Sequence, residues 1–415
     1  MIYVGIDVSK SKHDCCILDS EHKDDYEEFT IPNTRNGYDH LLKRIFSYNQ
    51  SVKNIKAGLE ATGEYSVNIT RFLLNNGLAT CVLNPLLTDQ YRKSHSLRKT
   101  KTDRIDAHFI ACILMSDLDL KPYVPQEYHN KVLKSLTRTR FGWVHERSLK
   151  KQTLTRIIDT SFSELPQYIN LDSATAHALL KEYPTPEKMA NANLKHMKEI
   201  IYKTSKGRLS MDLAEQIRNA ARHSVGLGKS DISTEINVVE TIHDIEVKNE
   251  QIQKVESRIK KLLEERKEPL LTIPGISIAT GSAILGEIGD FSRFSSPDKI
   301  LAYAGFAPSK NQSGRRSGIG PSAHMEKRGS RYLRHALFNA ARFVCQNEPA
   351  YKEYLAKKLS EGKHFYIAIS HVVKKLVRLI YALQTRGIPY KTPAQLMLQR
   401  QINTGSDSQD FALDI

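Results

Sequence analysis

The chain has 415 residues, 26% of them charged and 40% hydrophobic, a balance that excludes a disordered chain and a length that suits two or three domains with separate cores. No apolar run reaches the roughly 18 residues of a membrane-spanning helix, and the first residues enter a strand where a signal peptide would open, so the expected location is the cytoplasm, with the nucleoid. The formal charge of +15 makes a polyanion such as nucleic acid the expected partner.

Residues 2–6, 15–18 and 26–31 are short apolar or alternating runs separated by polar turns, the pattern of consecutive hairpin strands. Residues 55–59 and 78–83 read as two more strands. Each follows a stretch with helical spacing, first Tyr38, Leu41, Leu42 and Ile45, then Ile69, Phe72 and Leu73. Three strands followed by alternating helices and strands is an α/β plan.

From about residue 131 to 227 the pattern turns helical and basic, with Arg138, Arg140, Arg147, Lys150, Lys151 and Arg156 close together. Val238, Ile245, Ile252 and Ile259 then recur every seven residues, with Ile242 and Leu263 on the neighbouring seam. The repeat predicts a coiled coil over about 232–266, read as a dimerisation arm or spacer in which Asn249 and Glu256 set register and partner choice, with one long helix lying on its own domain as the other reading. After Pro269, the run Leu271-Thr-Ile-Pro-Gly-Ile-Ser277 followed by small residues resembles a helix-hairpin-helix, whose first amides suit a phosphate. The resulting division is 1–125, 126–268, 269–400 and a polar, flexible tail over 401–415. Trp143, Tyr303 and Tyr332 read as core aromatics. The five cysteines, Cys15, Cys16, Cys81, Cys112 and Cys345, read as reduced packing residues, and no zinc site is expected.

Chemistry concentrates in acids. Strand alternation puts Asp7 on the face of Gly5 and opposite Ile6. Glu60 ends the fourth strand, so the two carboxylates would sit side by side if strands one and four are neighbours. Asp103 and Asp106 are three apart and share one helix face, where like charges repel unless a cation compensates. Oxygen ligands of this kind suit Mg2+, with Mn2+ substituting. Arg92, Lys93, Arg98, Lys99, Lys101 and Arg104 surround the pair and suit phosphates. Downstream, Lys310, Arg315, Arg316, Lys327, Arg328, Arg331 and Arg334 accompany Ser309, Ser313 and Ser317, the last three of those cations at helical spacing. Spacing alone leaves open whether a serine there attacks phosphorus.

These motifs carry a resemblance. Val4-Gly-Ile-Asp7-Val-Ser-Lys10, Glu60-Ala-Thr-Gly63, Asn84-Pro85 and Lys101-Thr-Asp103-Arg-Ile-Asp106-Ala107 resemble the RuvC-like, RNase H-like DEDD domain of insertion-sequence transposases of the IS one-ten family. Ala304-Gly-Phe-Ala-Pro308, Ser313-Gly314 and Lys327-Arg-Gly-Ser-Arg-Tyr-Leu-Arg334 resemble that family's mainly α carboxy-terminal transposase domain. The resemblance implies excision and insertion of the element through a serine nucleophile, matched to Ser313, assisted by metal on Asp7, Glu60, Asp103 and Asp106. It further implies a composite site shared between protomers of a dimer or tetramer. Element-end and target DNA, and an element-encoded guide RNA bridging them, are the implied partners. Two other readings stand beside it: a metal-only nuclease of the Holliday-junction resolvase type, and a non-catalytic DNA-binding assembly protein.

Overall fold

The computed structural model describes residues 1–21, 26–60, 65–95, 103–116, 120, 122, 128–226, 232–264, 266–306, 328–392 and 395. Two compact units emerge, Met1–Pro125 and Gln126–Ile415. The tail expected over 401–415 lies outside the described residues.

In the first unit the strands are β1 (Ile2–Val8), β2 (Lys12–Asp19), β3 (Tyr26–Pro32), β4 (Ile55–Glu60) and β5 (Ala79–Leu83). They form one mixed sheet in the order β3-β2-β1-β4-β5. β1, β2 and β3 pair antiparallel, whereas β1, β4 and β5 run parallel. The helices are α1 (Arg35–Tyr48), α2 (Ser66–Asn75), α3 (Pro85–His95) and α4 (Asp103–Met115). An α/β fold is what the sequence led us to expect.

Because successive strand residues face opposite sides, each face has its own composition. On one face Val4, Ile6, Ile17, Ile31, Ala57 and Leu59 pack with Leu41 and Ile45 of α1 and Ile69 and Leu73 of α2. On the other, α4 lays Ala107 and Ala111 over Cys16 and Leu18, and Ile110, Ile113 and Leu114 against Cys81 and Leu83. Gly5 and Gly58 are register partners beneath this helix. A Cβ on Gly5 would stand 2.0 Å from the Ala107 carbonyl oxygen, and one on Gly58 would stand 2.8 Å from the Leu114 side chain. The paired glycines let the helix rest almost on the sheet backbone.

The second unit is helical: α5 (Tyr128–Ser161), α6 (Ala174–Glu182), α7 (Pro186–Ala190), α8 (Leu194–Ser205), α9 (Leu213–Arg222), α10 (Ile232–Glu264), α11 (Ile278–Ile288), α12 (Pro297–Ala304), α13 (Arg331–Asn347), α14 (Pro349–Ser360) and α15 (Phe365–Arg386). Two cores share the long helices α5 and α10. Leu154 and Ile158 of α5 join Val238, Ile242 and Ile245 of α10 in a core with α6, α8 and α9. Leu133 at the other end of α5 joins Val255, Ile259 and Leu263 in a core with α11 through α15.

This arrangement corrects the reading of the heptads as a dimerisation arm. The seam residues Val238, Ile242, Ile245, Ile252, Ile259 and Leu263 are all buried within their own chain. The partner that Asn249 and Glu256 select is α5: Arg147 donates to Asn249 Oδ1 at 2.8 Å and Arg140 to Glu256 Oε1 at 2.7 Å. Lys150 pairs with Asp244 at 2.6 Å and Lys248 with Glu146 at 2.5 Å, so partners step in opposite directions and the helices run antiparallel. Within the basic stretch of α5, Arg140 and Lys150 pair with acids of α10, whereas Arg138 pairs with Glu287 of α11 and Lys151 with Asp172. Among the described residues, no helix is long and apolar enough to cross a membrane.

Candidate active site

Asp7 stands one residue beyond the last ladder pair of β1 with β4, Ile6 with Leu59, and Glu60 is the corresponding next residue of β4. The two acids therefore end adjacent parallel strands on one face of the sheet, the face covered by α4. Asp14 on β2 is the register partner of Asp7 and adds an acid the sequence reading missed. It is buried, with Thr30 donating to Oδ1 at 2.5 Å and Lys12 to Oδ2 at 3.1 Å. Counting outward from the β1–β2 turn would have found it. The result is a row running Asp14, Asp7, Glu60 across three strands.

Neighbouring helices reach the same row. Thr88 of α3 donates to Glu60 Oε2 at 3.1 Å. One turn further along α3, Arg92 Nη1 lies 3.6 Å from Asp106 Oδ1 on α4 and its Nη2 lies 2.5 Å from Asp89. Lys93 also pairs with Asp89, at 2.6 Å. Hydrogen bonds from Lys93 and then Arg92 hold the Asp89 carboxyl below its ordinary value. Asp103 is the first residue of α4. The side chains of Asp103 and Arg104, and all of Arg98, Lys99 and Lys101, lie outside the described residues.

The donors of this row are carboxylate oxygens, the ligand type of a hard divalent cation, while at Asp106 on α4 the cation present is the Arg92 guanidinium. Among the described residues, no three carboxylates of the row close to within 4.8 Å; the group that does is Cys16, Glu28 and His108. All five cysteines are free and pack in or against hydrophobic clusters, as expected, and Cys16 in addition lies beside His108. His108 Nδ1 lies 3.6 Å from Cys16 Sγ, and its Nε2 lies 3.4 Å from Cys112 Sγ. The i,i+4 spacing of His108 and Cys112 was visible in the sequence. Cys16 was not, because strand pairing and helix crossing bring it there.

In the second unit, Lys310, Ser313, Arg315, Arg316 and Lys327 lie outside the described residues, as do Ser309 and Ser317. The chain on either side of 307–327 is tied together. Ser330 N donates to Tyr303 O at 2.8 Å, and Arg334 donates to Ala304 O at 3.1 Å. Ser330 caps α13 and also donates to Glu287 Oε2 at 2.8 Å. Glu287, buried on α11, receives Arg138 bidentately at 2.6 and 3.0 Å. Burial pushes the Glu287 carboxyl up, but the hydrogen bonds of Arg138 and Ser330, with the charges of Arg138 and Lys134, outweigh it and hold it below its ordinary value. Arg328 precedes α13, so it does not share a helical face with Arg331 and Arg334. The expected phosphate-binding amides before α11 are partly occupied, since Ser277 and Thr280 form a reciprocal capping box.

The first family match in the comparison with known proteins runs past the end of the first unit and through α5. A family model described as Transposase matches residues 4–163, and a second, described as Transposase IS116/IS110/IS902 family, matches residues 267–356. The chain is 24% identical over 394 residues to the pilin gene-inverting protein of Moraxella bovis, covering 94% of this chain and 97% of that one. It is 24% identical over 405 residues to the mini-circle putative transposase for IS117 of Streptomyces coelicolor, covering 93% and 94%. An uncharacterized 42 kDa protein of the insertion element IS900, from Mycobacterium paratuberculosis, is 24% identical over 392 residues, covering 92% and 95%. The protein is thus a DNA-processing, DNA-binding enzyme. It belongs to the IS110 family of insertion-sequence transposases and recombinases, whose DEDD character points to divalent-metal dependence.

Proposed function

We propose that the protein excises and inserts its own element by DNA strand cleavage and exchange, with Asp7, Glu60, Asp103 and Asp106 holding Mg2+ and Ser313 as nucleophile. The observation that carries this reading is the placing of Asp7 and Glu60 at the ends of adjacent parallel strands, under the helix that bears Asp103 and Asp106. The strand order β3-β2-β1-β4-β5, with β2 antiparallel to β1, supports an RNase H-like fold for the first unit.

Bound there, the metal supplies Lewis-acid stabilisation of charge on the scissile phosphate, a task Mn2+ also performs. The chain's own groups do the rest. Arg92 draws phosphate towards Asp106, and Thr88 fixes the Glu60 carboxylate. Ser313 Oγ forms a bond to phosphorus while the bond to the leaving strand oxygen breaks, and that oxygen takes up the hydroxyl proton. The phosphoserine ester preserves the bond energy for rejoining. Rejoining is what gene inversion demands, and the Moraxella bovis relative is named for that outcome.

The family resemblance of the motifs also supports a composite site in which the serine comes from a second protomer, so a dimer or tetramer is the working form. It supports an element-encoded RNA that bridges element-end and target DNA. The division of the second unit at about residue 268 belongs to the same reading. Cleavage of element-end DNA tests it: Mg2+ is required, Mn2+ restores activity after chelation, and Asp7→Asn lowers the rate by about 10²–10³-fold, the scale lost with one charge-stabilising group. Full activity of Asp7→Asn in Mg2+ would remove the acidic row from the mechanism.

A further inference from the structure

We propose that Cys16, Glu28 and His108 form a second metal site, for a thiophilic divalent cation best matched by zinc, separate from the acidic row. The three ligand atoms come from β2, β3 and α4 and lie within 4.8 Å of one another. Cys16 and Glu28 are direct register partners across β2 and β3, one row along the sheet from the pair Asp7 and Asp14. Cys16 is in turn the register partner of Gly5, the residue on which α4 rests, so the close approach of that helix is what delivers His108.

The spacing of the sulfur and nitrogen suits the ion, and the Glu28 oxygen, within 4.8 Å of both, closes on it by a side-chain rotation. With Zn–S of about 2.3 Å and Zn–N of about 2.0 Å, sulfur and nitrogen on one tetrahedron stand about 3.5 Å apart. Cys16 Sγ and His108 Nδ1 are 3.6 Å apart. An imidazole gives an ion one nitrogen, and its other N–H is normally held by an outer partner that fixes ring and tautomer. Here His108 Nε2 meets Cys112 Sγ at 3.4 Å. Tyr26 lies tilted against the same ring, at 4.3 Å between centroids and 43° between planes. Glu28 has no salt bridge among the described residues and supplies the oxygen ligand. The set of one thiolate, one imidazole and one carboxylate leaves the fourth position to water.

Softness separates the two sites. A thiolate and an imidazole favour zinc over magnesium, whereas the all-carboxylate row does the reverse. On binding, the Cys16 thiol gives up its proton to solvent and no electrons move. The ion would clamp β2 and β3 to α4 and so fix the helix that carries Asp103 and Asp106. This inference does not rest on the catalytic role of those acids.

Cobalt(II) is the probe. Added to the chelator-treated full-length chain, one equivalent should give a sulfur-to-cobalt charge-transfer band that one equivalent of Zn2+ displaces. Asp7→Asn keeps the band, Cys16→Ser loses it, and Glu28→Gln weakens cobalt affinity by at least about tenfold. Circular dichroism shows whether each variant folds. Absence of the band in the wild-type chain overturns the proposal whatever the variants do, as does its survival in a folded Cys16→Ser.

Discussion

A methyl group at Gly5 has no room, because its carbon would stand 2.0 Å from the Ala107 carbonyl oxygen and 2.6 Å from the Ala111 amide. Both neighbours are backbone, so α4 as a whole must move. Gly5→Ala should therefore destabilise the first unit by about 3 kcal/mol, the upper end for overpacking, read from urea unfolding. Metal-dependent cleavage should fall with it, because Asp106 rides on the displaced helix; unchanged stability would show that the helix does not rest on the sheet as described. The acids on β1 and β4 were legible in the sequence because strand alternation is a local pattern, while their adjacency hung on the pairing of β1 with β4, which the structure supplies. Asp14 needed only the hairpin register. The convergence of Cys16 and Glu28 with His108 was not legible, since 80 residues separate Glu28 from His108 and only the crossing angle of α4 joins them.

For whole elements, the heptads of α10 form a buried seam, and of the two readings open in the sequence the helix lying on its own domain is the one found, in place of a contact between chains. Periodicity reports that a stripe is buried and is silent on what covers it; here the cover is α5, 100 residues earlier, and charge pairs along both helices set the register. Ile245→Ala should cost about 2–5 kcal/mol of stability, as for other buried aliphatic truncations, while light scattering shows an unchanged oligomer. A shift in oligomeric mass would return the seam to an interface between protomers.

The α5–α11–α13 junction makes a second prediction at this scale. Glu287 is held below its ordinary value in the folded chain, so its contribution is present above the unfolded carboxyl value of about 4.3 and is lost as pH falls through the lower folded value. Glu287→Gln leaves Arg138 without its counter-charge. At pH 7 the loss should be about 3 kcal/mol, the low end for a broken buried pair, because the Arg138 side chain is 42% exposed. The gap between the two proteins should close as the pH drops below 4; a gap independent of pH would assign the effect to packing.

For the whole molecule, one unit holds a sheet whose three inner strands carry a row of acids, and the other is a helical body that ties together the chain on either side of residues 307–327. The family motifs stand at the two ends of the chain, whereas the middle helices carry no motif and reveal their packing only through α5 and α10. The net charge of +15 favours DNA and RNA alike, so identifying the covalent intermediate says more than any binding assay. The decisive measurement is a denaturing gel of wild-type protein incubated with labelled element-end DNA, the flanking non-coding RNA and Mg2+. A protein–DNA adduct absent from both Ser313→Ala and Asp7→Asn is the predicted result; cleavage by Ser313→Ala without an adduct would contradict the serine mechanism and favour a metal-only nuclease.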